Sequence, residues 1–300
     1  MKRITIFSIA AWAMIMIVGT SCKKSSSDAA PAGTTDSTTY KGASNLPKAV
    51  YNYYAGTQYD TTTGTKATVY NYDTTIQTYS YDAQGRLTSE TNIDKSWSRS
   101  ASNIFIDSSL ESYIIQFSYN GSSVWPSSST NTSNTTGVTT VKTYSYNNPL
   151  GKLTGITSNG YTDTIIYLPN ATSSNYSFVH GSDSVTYSNN NYVKSSYTYY
   201  NGSAGYSYNR ASTYTYTNYV SPVYNIKALW VSDGYRPQSF NLTDTETDNS
   251  VFNNIIKNGT VKGTYSFDGN GRVVTVIENI SYKSNGIVSE KGIGISTITY

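Results

Sequence analysis

The sequence predicts an all-β fold, an antiparallel meander of roughly 16–20 strands curled into a barrel-like or strongly bent sheet. Three observations predict it. Tyr recurs at every second position in many short segments, and turn residues separate these segments. No segment after the N-terminal apolar run keeps helical spacing. A two-sheet β-sandwich is the alternative.

The N-terminus is typical of a signal peptide. Residues 1–3 are basic, residues 4–18 form an apolar run that is short for a bilayer span, and small residues lead to Cys22, the only cysteine. This junction resembles the lipobox of bacterial lipoproteins. The resemblance implies that residues 1–21 are removed and that Cys22 is lipidated; an ordinary cleaved signal is the alternative.

Residues 22–48 are rich in Ser, Thr and Ala and offer little to bury, so they predict a flexible tether, with an N-terminal strand as the alternative. The single all-β domain is predicted to fill residues 49–300. The folded region is dense in aromatic residues, since the chain has 31 Tyr. In pairs such as Tyr51 and Tyr53, both side chains share one face of a strand, where aromatic residues are favoured.

Turns follow at regular intervals. The dipeptides that begin at Asn120, Asn201 and Asn258 each end in Gly, and they predict tight hairpins because Asn and Gly accept positive φ. Residues 107–116 are the least strand-like stretch, and a short helix is the alternative prediction for them.

Two further turns share one pattern. Residues 78–87 read TYSYDAQGRL and residues 264–273 read TYSFDGNGRV, with a weaker copy at 143–153. We expect Asp82 and Asp268 to accept hydrogen bonds from their own turns. Gly85 and Gly271 are expected to adopt positive φ.

This pattern resembles the YD repeat of RHS-type proteins. The chain is also similar to a group of Bacteroidota lipoproteins of unknown function that carry a few such hairpins. A related domain family in that group is described as having a porin-like fold. The resemblance implies an outer-membrane lipoprotein that faces the periplasm or the cell surface, and it implies no activity.

The charge balance argues against a nucleic-acid partner. Removing Lys2 and Arg3 from the 21 basic residues leaves 19 against 18 acidic ones, and no basic patch is visible. With one His and one Cys, no His/Cys metal site, other metal centre or cofactor is expected. The alternating acids Asp244, Glu246 and Asp248 predict a solvated edge, with a calcium loop as the alternative.

No catalytic residue is predicted. His180 lies in the segment 178–183 with Ser182 and Asp183 close behind it, but one hairpin cannot normally aim a Ser-His-Asp set at one point. A glycosidase pair of carboxylates has no motif to frame it. The sequence therefore predicts a protein that is not an enzyme.

The expected function is that of an envelope lipoprotein that binds a glycan or an envelope protein. The candidate ligand-stacking residues are Trp97, Trp125 and Trp230, since sugar rings stack on aromatic faces. The alternatives are a structural envelope component without a small ligand and a membrane-inserted barrel. An outward apolar band would mark the barrel.

Modification is the last expectation. Proteins of the resembled group commonly carry O-glycans at Asp-Ser/Thr sites that are followed by particular small or aliphatic residues. The matching residues in this chain are Ser37, Thr61, Thr74, Thr164 and Ser184. The alternative is that these sites are ordinary turn and strand chemistry.

Overall fold

The computed structural model describes residues 46–60, 66–146, 152–169, 171–172, 174–201, 206–222, 226–229, 239, 241–252 and 255–300. The predicted signal peptide and most of the predicted tether lie outside these residues. Within the described part of the chain, no helix has the length and apolar character needed to cross a membrane.

The architecture is one 17-stranded sheet. Its strands are β1 (Ala49–Tyr59), β2 (Ala67–Tyr81), β3 (Leu87–Ser100), β4 (Phe105–Tyr119), β5 (Pro126–Ser133), β6 (Thr139–Ser145), β7 (Gly155–Ser158), β8 (Tyr161–Thr164), β9 (Ile166–Tyr167), β10 (Tyr176–His180), β11 (Asp183–Ser188), β12 (Asn191–Asn201), β13 (Tyr206–Val220), β14 (Asn241–Phe252), β15 (Ile255–Phe267), β16 (Val273–Ser284) and β17 (Ile287–Thr299).

The sheet is an antiparallel meander that curls into a nearly closed barrel. Strands adjacent in the chain pair antiparallel, and β1 pairs with both β2 and β17. At one point the wall passes through a broken strand. There β8 pairs with β7, β9 pairs with β10, and only Ile165 separates the two halves. The predicted fold class and strand number are confirmed.

The barrel wall is tall on one side and low on the other. Strands β2, β3, β4 and β13 have 15, 14, 15 and 15 residues, whereas β7 and β8 have four each. The upper parts of the tall strands therefore stand above the low wall.

The opposite end of the barrel contains the apolar core. Val50, Leu87 and Val276 lie at strand ends there and are at most 1% exposed. Ile226 and Leu229, from the connection between β13 and β14, pack into the same cluster. We call this end the floor, and the YD-like turns, the chain's entry into β1 and its C-terminus all lie there.

A second apolar cluster fills the floor beneath the low wall. Phe178 and Val185 are fully buried, and Tyr187 stacks on Tyr176 with ring centroids 4.6 Å apart. Aromatic residues thus occupy core positions that aliphatic side chains take in most domains.

Two local expectations need correction. Residues 107–116 are not helical, because they lie within β4 and pair with β3. Asn258 and Gly259 do not form a turn either; they lie within β15, where the absence of a side chain at Gly259 makes room for the ring of Tyr282. Asn120 and Gly121 do form a turn, with φ of 55° at the glycine. Gly202 is outside the described residues.

Candidate functional site: the inner wall of the barrel

The inner face is defined by alternation along the strands. Val50 on β1 is fully buried, and the pairing register places Gln77 of β2 and Ile298 of β17 beside it on the same face. Because side chains alternate between faces, each strand contributes every second residue to the inner wall.

Charges are divided between the two faces of the wall. The register places these carboxylates on the inner face: Asp73, Glu90, Asp94, Glu111, Asp183, Glu246, Asp248, Glu278 and Glu290. It places these basic residues on the outer face, where all are exposed: Lys95, Arg99, Lys194, Lys262, Lys283 and Lys291. The inner face also carries Lys142, Arg210 and Lys257. A nearly neutral chain thus encloses an acid-rich interior.

On β13 and β14, the inner carboxylates are paired with an arginine. Arg210 donates from Nε to Asp248 Oδ1 at 2.8 Å, and its Nη2 lies 3.5 Å from Glu246 Oε1. Ser212 and Tyr214 donate to the same two carboxylates at 2.9 and 3.2 Å. These bonds satisfy two acids that are about 95% buried.

This geometry corrects the sequence interpretation of Asp244, Glu246 and Asp248. A solvated edge was expected, yet Glu246 and Asp248 are buried on the inner wall. Exposed and buried faces of a strand have the same period of two, so alternation alone did not show which face these acids take. No group of three or more His, Cys, Asp or Glu in the described residues could hold a metal ion.

Glu278 on β16 lies on the inner wall without such a strong ion pair. Burial, with the neighbouring Glu246 carboxylate as a second cause, raises the pKa of Glu278 to about 8. Its Oε2 lies 3.2 Å from the position that a Cβ at Gly294 would take. The carboxyl is therefore mostly protonated at neutral pH.

The inner acids on β2, β3 and β4 have carboxylate neighbours. Burial and then the charge of Asp94 raise the pKa of Asp73. Burial is also the largest cause that raises the pKa of Asp94, and Glu111 adds to it while a hydrogen bond from Thr75 opposes it. Asp94 pairs directly with both Thr75 and Glu111 across the strands.

Two tyrosine rings lie close against glycines of the inner wall. A Cβ at Gly56 would lie 2.0 Å from the hydroxyl oxygen of Tyr54, and one at Gly292 would lie 2.6 Å from a carbon of the same ring. A Cβ at Gly259 would lie 2.0 Å from the ring of Tyr282. Tyr54 donates to Glu290 Oε1 at 2.8 Å. These glycines let the rings lie along the wall instead of filling the interior.

The predicted turn residues form two matching hairpins at the floor. Asp82 Oδ1 accepts hydrogen bonds from the amides of Gln84 and Arg86, both at 2.9 Å, and its Oδ2 accepts from Arg86 Nε at 2.7 Å. Asp268 makes the same three contacts with Asn270 and Arg272.

The turn glycines have the expected backbone conformation. φ is 74° at Gly85 and 76° at Gly271. The amide of Arg272, the first cause, together with its side chain and the Asn270 amide, lowers the pKa of Asp268. Each turn is thus held by one carboxylate and one left-handed glycine.

Sequence reasoning missed the tyrosine that secures each of these turns. Arg86 lies over the ring of Tyr119, and the hydroxyl of that Tyr119 donates to the carbonyl of Leu87 at 2.8 Å. In the second turn, Arg272 lies over the ring of Tyr300, and the Tyr300 hydroxyl donates to the carbonyl of Val273 at 3.0 Å. The only sequence signal is a Tyr at the end of the following hairpin, which gains meaning once the register is known.

The weaker third copy divides this role between two tyrosines. Lys152 lies 4.0 Å from the ring centroid of Tyr176, and Tyr167 donates to the carbonyl of Leu153 at 3.0 Å. Residues 147–151 of its turn are outside the described residues, but the same environment surrounds its basic and aliphatic positions.

The two predicted ligand-stacking tryptophans that the structure describes, Trp97 and Trp125, do not converge. Trp97 faces outward on β3 and stacks on Tyr72 with a centroid separation of 5.3 Å and an interplanar angle of 13°. Trp125 lies at the floor beside Tyr146, with Lys227 over its ring. Trp230 is outside the described residues.

His180 lies at the top of β10. Its Nε2 is 3.9 Å from Asp163 Oδ1, and it pairs with Asp183 across the hairpin. Ser182 is exposed in the turn between β10 and β11.

The predicted modification sites that the structure describes lie on different strands. Thr74 is half-buried on the outer face of β2, Thr164 is exposed at the end of β8, and Ser184 is half-buried on β11. Cys22, Ser37 and Thr61 are outside the described residues, and modification at all of these positions stays a prediction.

Comparisons with known proteins give a distant likeness in structure. No protein-family model matches the chain, and no curated protein is significantly similar to it in sequence. A porin-like protein from Bacteroides uniformis is 17% identical with a TM-score of 0.45, covering 84% of this chain and 96% of its own. Pseudomonas aeruginosa OccK5 (OpdH) is 8% identical with a TM-score of 0.31, covering 86% and 100%. At these values the likeness assigns no family, and the fold assignment depends on the strand pairing itself.

Proposed function

We propose that this protein is a non-enzymatic envelope lipoprotein of the outer membrane whose barrel binds a ligand against its inner wall, above the apolar floor. The observation that carries the proposal is the division of charge, with many carboxylates inside and most strand lysines outside. Burying polar groups in an interior costs free energy. A wall that served only as a core would gain more from aliphatic side chains.

The outer face supports a lipid anchor at Cys22 over insertion of the barrel itself. Lys95, Lys262 and Lys291 are exposed at outward positions. A lysine facing lipid at the midplane costs about 2–4 kcal/mol. Polar residues such as Thr213, Thr247 and Thr260, which are paired across β13, β14 and β15, occupy other outward positions. We therefore propose that the barrel lies outside the bilayer, on a tether.

The binding proposal is tested with two neighbouring residues that face opposite ways. Thr75 faces inward and Thr74 outward on β2, so Thr75→Trp fills the interior while Thr74→Trp leaves it open. Spermidine, maltohexaose and citrate serve as cationic, neutral and anionic probes in thermal unfolding of the full chain. A ligand at 100 times its Kd stabilises the folded state by about 2.7 kcal/mol.

We expect at least one probe to raise the unfolding midpoint of the wild type and of Thr74→Trp but not of Thr75→Trp. Circular dichroism checks that both variants keep the all-β signature. If no probe shifts the wild type, or if the two variants respond alike, interior binding is refuted. A structural envelope component without a small ligand is then the better reading.

A second candidate function is glycan binding on the outer wall. The stacked pair of Tyr72 and Trp97 forms an outward aromatic surface, with Lys95 Nζ 5.7 Å from the tryptophan ring centroid. Sugar faces stack on such rings. A glycan array with the full chain tests this, with Trp97→Ala expected to abolish the signal and Tyr51→Ala, an exposed outward tyrosine, expected to keep it. Equal signals from both variants would exclude this surface.

A further inference from the structure

Resting on the proposed function, we infer that the ligand is a linear organic polycation of the polyamine class. It binds along an acidic ladder, by which we mean Asp73, Asp94 and Glu111 on the inner faces of β2, β3 and β4.

The ladder sets like charges against one another. Asp94 and Glu111 are direct cross-strand partners, and Asp73 is the diagonal neighbour of Asp94 through its partner Ser96. Directly opposed side chains have Cβ atoms about 5 Å apart and diagonal ones about 7–8 Å, and like charges directly opposite are destabilising. A bound cation turns this repulsion into attraction.

A buried polar atom beside the ladder lacks a partner. Asn92, between Glu90 and Asp94 on the inner face of β3, is fully buried. Its Nδ2 donates to the Tyr113 hydroxyl at 2.7 Å, while its Oδ1 has no hydrogen-bond partner. A buried acceptor left unsatisfied costs about 1–3 kcal/mol. An ammonium group is a donor that would satisfy it.

The spacing favours a linear molecule with several charges. Residues two apart on a strand are about 7 Å apart, and neighbouring strands are about 4.8 Å apart. The unpaired Asn92 acceptor and the Asp94 carboxylate are thus separated along one strand by a distance that suits successive amino groups of a polyamine. Glu111 extends the row to the exposed rim of β4.

The barrel already holds one ammonium group in this way. Lys257 Nζ lies 3.5 Å from Glu290 Oε2 and 4.3 Å from the ring centroid of Tyr282. A carboxylate and an aromatic face together therefore bind a cation on the inner wall. Tyr113 is the corresponding ring beside the ladder, since it follows Glu111 by two positions on the same face.

The test is isothermal titration of the full chain, purified in a nonionic detergent, with spermidine. Asp73→Asn with Asp94→Asn removes two ladder charges without changing side-chain size. The matched control, Asp28→Asn with Asp36→Asn, removes two charges from the predicted tether. We expect the ladder variant to bind spermidine at least tenfold more weakly than the wild type, and the control to bind it equally well. A second measurement needs no variant: the unfolding midpoint of the wild type with spermidine is compared with its midpoint in sodium chloride of equal ionic strength, and spermidine should raise it more.

Equal spermidine affinity in the two double variants overturns the inference, as does equal stabilisation by spermidine and by salt. If maltohexaose or citrate binds in the interior and spermidine does not, the inference fails while the proposed function stands. If none of the three probes binds, both fail.

Discussion

Replacing Glu278 with Gln should change how the stability of the barrel depends on pH. In the folded state, burial and Glu246 raise the pKa of Glu278 to about 8, from an ordinary value of 4.5. Between these two values the folded state binds a proton that the unfolded state has released. The stability that this proton provides is complete below the unfolded pKa and is lost as pH rises through the folded pKa.

The size of the effect follows from the shift. One pKa unit corresponds to about 1.4 kcal/mol, so between pH 5 and pH 8 the Glu278 carboxyl should remove on the order of 4 kcal/mol from the free energy of unfolding. The Gln side chain has nearly the same shape and cannot ionise. The Glu278→Gln variant should therefore be more stable than the wild type at pH 8, and the advantage should shrink toward pH 5.

The assay is urea unfolding of both proteins at several pH values from 5 to 9, plotted as the difference between them. Titrating groups that do not interact with Glu278 are common to both proteins and cancel in this difference. Asp107→Asn, which removes a carboxylate at an exposed position outside the ladder, is the control and should change stability by less than about 0.5 kcal/mol. A wild-type minus variant difference that stays flat from pH 5 to 9 would refute the reasoning.

Four further outcomes are expected. Gly271→Val should lower the free energy of unfolding by at least ~1 kcal/mol, because φ is 76° at this position. Gly269→Val in the same turn, where a Cβ meets nothing within 4 Å, should lower it by less; equal losses contradict the turn assignment. Gly259→Ala should cost about 1–3 kcal/mol by displacing the Tyr282 ring, and an unchanged unfolding midpoint counts against that packing. Cys22→Ser should release the protein into soluble fractions, and unchanged membrane retention contradicts lipidation. The intact mass of protein from its native host should exceed polypeptide plus lipid if the Asp-Ser/Thr sites are glycosylated, and equality removes that hypothesis.

The strands and the YD-like turns could be predicted because their causes are local. Alternating Tyr needs only the two-residue period of a strand, and Asp82 with Gly85 closes its turn through atoms at most four residues apart. The tyrosines that secure the turns could not be found this way. Tyr119 follows Leu87 by 32 positions, and a contact of that separation depends on the register of two hairpins.

The residues of the inner wall could not be predicted from the sequence for a different reason. Alternation divides a strand into two faces but does not say which one is inside, so Glu246 and Asp248 read equally well as an exposed edge. A stronger signal lay in opposite charges at adjacent positions, as in Asp94 with Lys95 and Glu290 with Lys291. Such neighbours must lie on opposite faces of a strand.

Net charge and interior charge are therefore independent properties of this chain. The near-neutral total argues against strong long-range attraction to nucleic acid whichever way the strands face. The field inside the barrel depends instead on the position of each charge within the two-residue period. A single inward residue of known burial, such as Val50, fixes that position for β1 and, through pairing, for every strand around the wall. It follows that shifting the register of one hairpin by one residue would put lysines in place of carboxylates on its inner face. Register is thus what would decide the ligand class.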